Sequence, residues 1–103
     1  MNELEQIKEI IVKIANPDKI ILFGSRARGD HGEGSDYDIL IIKNDTLKDR
    51  RTVGLIYKEF YRQEIVVSVD LLYINLEKYN ELSDISGYVY KSIKKEGKTI
   101  YEK

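Results

Sequence analysis

Three acids and one small-residue turn are the groups in this sequence that could do chemistry together. Asp36 and Asp38 open the apolar run DYDILII, and Asp70 is the only acid between Glu64 and Glu77. Residues two apart on a strand project to the same face, roughly 6 to 7 Å apart. Asp36 and Asp38 would therefore point together, with Tyr37 pointing away and Leu40 and Ile42 continuing the acids' face. Two carboxylates held close in a partly dry place repel, so one should be hard to ionise unless a cation joins them. Asp70 sits in IVVSVDLLYI, where an unpaired carboxylate among apolar neighbours would be costly. If the two acid-bearing strands are neighbours, the three carboxylates form a hard-oxygen donor set suited to Mg²⁺, which keeps substrate phosphates among its ligands. Each acid alone also reads as a turn cap or an ion-pair partner; the trio together favours the metal reading.

Upstream, KIILF runs into Gly24-Ser25 and then RAR. A strand ending in Gly-Ser before a short helical turn offers backbone amides and a hydroxyl to an anion. Glycine allows close approach, and Arg26 and Arg28 can add guanidinium contacts to phosphate. Ten residues separate Ser25 from Asp36, enough for a short helix and a loop that bring the chain back to the same end of a sheet. The segment is not a P-loop, since Gly-Lys-Ser/Thr is absent, and Gly29, Gly32 and Gly34 do not make GxGxxG. His31, in this loop, reads as a solvent-exposed side chain.

The elements that must position these groups follow from periodicity. Leu4, Ile7, Ile10, Ile11 and Ile14 fall at helical spacing within residues 2–15, and Asn16-Pro17 stops that helix. Residues 19–23 read as a first strand, residues 29–35 as a loop and residues 36–42 as a second strand. Asn44 and Asp45 mark a turn. Residues 46–63 read as a helix, capped at Thr46 with Asp49 following, with Leu47, Val53, Ile56 and Phe60 on its stripe. The β-branched run 64–74 reads as a third strand. Residues 76–96 read as one interrupted helix or two, with Ser83 or Asp84 capping the second and Gly97 ending it. The tail KTIYEK is ambiguous. The predicted class is α/β (α+β): a small mixed sheet with helices packed on it.

Composition limits the function classes. The chain has 103 residues, one histidine and no cysteine, which excludes disulfides and thiolate metal sites and leaves little for an imidazole zinc site. Seventeen basic against 18 acidic residues give a net charge of −1, which weighs against nucleic acid as the main partner. No apolar run approaches a membrane span, and the acidic amphipathic N-terminus is unlike a signal peptide. A single domain over residues 1–103 and a cytoplasmic location are expected.

GSRARG, SDYDILI and VDLL, in this order, resemble the pattern of the DNA polymerase β-type nucleotidyltransferase superfamily. The chain most resembles its minimal nucleotidyltransferases (MNT), which are commonly paired as antitoxins with helical HEPN toxins. The resemblance implies a polymerase β-like core and transfer of AMP from ATP to a hydroxyl, with pyrophosphate leaving. It implies that Asp36 and Asp38 hold two Mg²⁺ ions and that Asp70 helps hold the one nearest the acceptor. Gly24 and Ser25 would bind the β and γ phosphates, with Arg26 or Arg28 neutralising pyrophosphate. It further implies a HEPN ribonuclease partner whose tyrosine receives AMP. An adenylyltransferase for a small hydroxyl compound such as an aminoglycoside, and a non-catalytic toxin-binding module, are the alternatives. A homo- or hetero-oligomer is left open. Of the eight tyrosines, Tyr57, Tyr61, Tyr88 and Tyr90 fall on predicted helices and read more readily as ordinary core and surface side chains than as a partner face.

Overall fold

Asn2 opens the first helix: its side-chain oxygen accepts the Glu5 N–H at 2.8 Å. Helix α1 (Glu3–Ala15) buries Ile7, Ile10, Ile11 and Ala15. It ends where Asn16 turns left-handed (φ 46°) and returns its N–H to the Val12 carbonyl, as expected before Pro17. The computed structural model describes residues 2–44 and 50–103. The remaining elements are β1 (Lys19–Phe23), α2 (Ser25–Arg28), β2 (Tyr37–Lys43), α3 (Arg50–Arg62), β3 (Val69–Asn75), α4 (Leu76–Leu82), α5 (Val89–Glu96) and β4 (Lys98–Glu102).

The strands form one mixed sheet in the order β3-β2-β1-β4. β1 runs antiparallel to β2 and to β4, whereas β2 and β3 are parallel. Alternation sorts each strand's side chains to two faces. Ile20, Leu22, Tyr37, Ile39, Ile41 and Val69 pack with α1 and α3. Ile21, Leu40, Ile42 and Ile74 pack with Tyr79 of α4 and Ile93 of α5. A sheet covered on both faces accounts for the nearly continuous apolar run of β2.

Several element boundaries differ from those expected. The third strand pairs only from Val69, not Glu64. Glu64 sits at φ 60°, and Val66 is 92% exposed, so this β-branched stretch is a connection. Strand propensity needs a partner, and β2 supplies one only from Tyr37, opposite Val69. Residues 76–96 form two helices. Ser83, buried, ends the first, and Tyr88 rather than Ser83 or Asp84 stands at the start of the second. Asn75 caps α4 by accepting the Lys78 N–H at 3.1 Å. The tail becomes β4 because β1 has an open edge to pair with. Gly97 ends α5 in extended geometry, and a side chain there would come within 2.5 Å of Ile21 Cγ2 and the Ile93 carbonyl. The expected cap at Thr46 with Asp49, the stripe position Leu47 and Asp45 of the expected turn lie outside the described residues. Among the described residues no helix is long and apolar enough to cross a membrane.

Candidate active site

The pairing of the strands brings the chemistry-bearing residues to one end of the sheet. Phe23, the last residue of β1, is the register partner of Asp38, and Asp38 is the partner of Asp70. Neighbouring strands lie about 4.8 Å apart, so Asp38 and Asp70 stand side by side on the face that carries Leu40, Ile42 and Ile74. Helices α4 and α5 cover that apolar part, while the two acids occupy its start. Asp36 lies immediately before β2 and is exposed, as is Asp70.

Asp38 is the half-buried member, and the electrostatics single it out. Burial first, then the charges of Asp70 and Asp36, and then a hydrogen bond with Asp70, push its carboxyl above the usual carboxylate range; Arg28 acts weakly the other way. Asp70 does not bear the desolvation cost that its apolar neighbours in sequence suggest: it is exposed, because its strand begins one residue earlier at the open end of the sheet.

Gly24 adjoins this cluster. Its φ of 73° suits only glycine, and a Cβ built there would overlap the Asp38 carboxylate. The backbone turn is therefore packed directly against the half-buried acid. Ser25 follows as the first residue of α2. The Gly24 carbonyl accepts the Ala27 and Arg28 N–H groups, which closes the turn and leaves the N–H groups of Ser25 and Arg26 outside the α2 ladder. Gly29, left-handed at φ 86°, ends α2 with its N–H on the Ser25 carbonyl.

The two arginines have different surroundings. Arg28 is exposed, with Nε 3.1 Å from Asp30 and a terminal nitrogen 3.7 Å from Glu96 of α5; these acids raise its already high pKa. It is also close enough to Asp38 to be felt there. Arg26 instead points to the opposite side of β2: its Nε donates to the Ser35 carbonyl at 2.9 Å, and its guanidinium carbon lies 4.0 Å from the centre of the Tyr37 ring. Tyr37 as a partner of Arg26 went unnoticed in the sequence, although strand alternation already placed it behind the acids. His31 is exposed.

A divalent cation fits this donor set. The acids are oxygen donors, and one of them, Asp38, is hard to ionise because it is part-buried and faces two like charges. Among the described residues no three acids or histidines form a complete cage. Mg²⁺ sites that use one or two carboxylates and complete themselves with substrate phosphates need none.

A small mixed sheet with a strand–Gly–Ser turn against carboxylates on two neighbouring strand starts is the architecture of a nucleotidyltransferase. The chain belongs to the "Polymerase beta, Nucleotidyltransferase" family, whose pattern matches residues 5–103. It is a nucleotidyltransferase and fits the MNT group within that family. Two Methanocaldococcus jannaschii proteins, each named as a proposed protein adenylyltransferase, are similar. One is 32% identical over 73 residues, covering 69% of this chain and 74% of its own length. The other is 51% identical over 47 residues, covering 41% and 47%. A crystal structure of an MntA-HpeT toxin–antitoxin mutant matches all of this chain and 74% of its own, with a TM-score of 0.62 and 25% identity. A toxin–antitoxin structure with AMP-PNP matches all of this chain and 75% of its own, with a TM-score of 0.60 and 24% identity, a likeness of fold.

Proposed function

We propose that the chain is a Mg²⁺-dependent adenylyltransferase that moves AMP from ATP to a tyrosine hydroxyl on a HEPN-family ribonuclease toxin, and so acts as its antitoxin. The observation that carries this reading is the register pairing of Asp38 with Asp70 beside Gly24. The relatives named as protein adenylyltransferases and the toxin–antitoxin structures of like fold support the choice of group and of acceptor.

Asp36 and Asp38 would hold two Mg²⁺ ions, with Asp70 helping to hold the one nearest the acceptor. When bound, these ions supply charge neutralisation at the attacking and leaving oxygens. The Gly24 N–H and Ser25 hydroxyl would orient the β and γ phosphates. The acceptor oxygen forms a new bond to the α-phosphorus as the bond to the β-phosphate bridging oxygen breaks, and pyrophosphate departs with that electron pair. The hydroxyl proton passes to the Asp70 carboxylate, the exposed member of the pair. Arg28, paired with Asp30 and Glu96 at the surface, would offset the charge of departing pyrophosphate. Such chemistry asks the protein mainly for position and charge.

ATP labelled at the α-phosphate, incubated with this protein, Mg²⁺ and a HEPN-family toxin, tests the reading. Label should appear on a toxin tyrosine, and ATP labelled at the γ-phosphate should leave the toxin unlabelled. Label only on small hydroxyl compounds would move the acceptor to that class. Tight toxin binding with no label at all would make the chain a binding module.

A further inference from the structure

Arg26 sits in the segment that would meet phosphate, yet its side chain is committed elsewhere. We propose that Arg26 is a positioning residue, which fixes the Gly24-Ser25 turn against the acid-bearing strand by stacking on Tyr37 and tying down the loop before Asp36. The inference rests on the active site described above and replaces the phosphate contact that the position of Arg26 in the sequence invites.

Four observations carry it. The guanidinium lies 4.0 Å from the centre of the Tyr37 ring, within the range of a cation–π contact. Its Nε donates to the Ser35 carbonyl at 2.9 Å in a half-buried setting. Tyr37 is only 8% exposed and packs in the core between the sheet and α1. Its hydroxyl faces Glu3 at the start of α1. Ring and guanidinium thus form a fixed unit behind the sheet.

The consequence is geometric. Arg26 belongs to α2, which begins at the Gly-Ser turn, and Tyr37 lies between Asp36 and Asp38. Ser35 ends the loop between them. One planar side chain therefore links the turn, the loop and the strand from the side opposite the acids. On the acid side, the packing of Gly24 on Asp38 sets contact but not orientation. Group transfer depends on aligning phosphate and acceptor within fractions of an ångström, and a shift of about 1 Å can cost about 10²-fold in rate.

Lysine keeps the charge but loses the planar stack and the fixed fork. Arg26→Lys should therefore lower kcat for AMP transfer by about 10-fold or more while changing the KM for ATP by less than about threefold. Tyr37→Leu, which removes the ring without touching ATP, should give the same split, and the double variant should be no worse than the poorer single one. Tyr37→Phe, which keeps the ring, should lose much less. Amide hydrogen exchange across residues 29–36 should quicken in Arg26→Lys and Tyr37→Leu; this readout needs no catalysis and stands even if the acceptor proves different. A lysine variant with near-normal kcat and exchange, or one whose loss lies in the KM for ATP, would make Arg26 a phosphate ligand and overturn the inference. Absence of transfer by the unaltered protein, with the exchange effect present, would overturn the proposed reaction and leave the positioning role intact.

Discussion

Asp38→Asn should raise the melting temperature of the metal-free protein near neutral pH and cut nucleotidyl transfer by about 10²-fold or more. Both effects come from the same placement. Asp38 is half-buried and faces two further acids, so its ionised form is disfavoured in the folded chain. An asparagine in its place carries no charge, and its amide can donate to Asp70. The sign of the pH dependence follows from the raised pKa. Between the ordinary carboxylate value and the raised one, the folded protein binds more protons than the unfolded chain. Stability therefore falls as pH rises through that interval. The advantage of the variant should open across the same interval and close below it. Asp70→Asn should act in the same direction, by removing the largest charge effect on Asp38, and should also abolish transfer. Melting curves taken over a pH series without divalent cations check this, alongside transfer rates with Mg²⁺. An asparagine variant less stable than the parent at neutral pH would contradict it.

Gly24→Ala should destabilise the fold by about 1–3 kcal/mol and lower transfer by about 10²-fold. A left-handed φ of 73° strains any residue with a Cβ. The added methyl would also overlap the Asp38 carboxylate, so relief requires the turn to withdraw from the acid. Withdrawal moves the Gly24 and Ser25 groups away from the place where the phosphates are proposed to sit. Gly29→Ala provides the comparison: at φ 86° and ψ 7° it is left-handed helical, a milder strain than at Gly24 (ψ −156°), and a Cβ there meets nothing within 4 Å. Gly29→Ala should lose less stability, and Gly24→Ala should lose far more activity. Denaturant unfolding measures the first effect and steady-state kinetics the second. Equal activity in both variants would mean that contact with Asp38 is unimportant.

Much of the site was legible before any coordinates because it rests on local rules. Strand alternation placed Asp38 on the face of Leu40 and Ile42, and glycine with serine marked the turn. What could not be read was which strands pair. The parallel register that sets Asp38 beside Asp70 belongs to the sheet as a whole. The same limit accounts for the misread ends: residues 64–68 have strand composition but precede the start of β2 pairing, and KTIYEK has little pattern until the edge of β1 gives it a partner. Burial was misjudged at Asp70 because apolar neighbours in sequence do not cover the end of a strand. The commitment of Arg26 to Tyr37 was hidden by the ten residues between them and by the opposite face of the strand.

The central claim is that Asp36, Asp38 and Asp70, with the Gly24-Ser25 turn, bind divalent cation and nucleotide together. Substituting Mn²⁺ for Mg²⁺ with a non-hydrolysable ATP analogue, and mapping the paramagnetic loss of backbone amide signals by NMR, tests it most directly. Signals of residues 23–26, 36–39 and 69–71 should vanish first, and the Asp38→Asn protein should keep them at the same Mn²⁺ concentration. Loss centred elsewhere on the sheet or helices, or the same pattern in the Asp38→Asn protein, would contradict the claim.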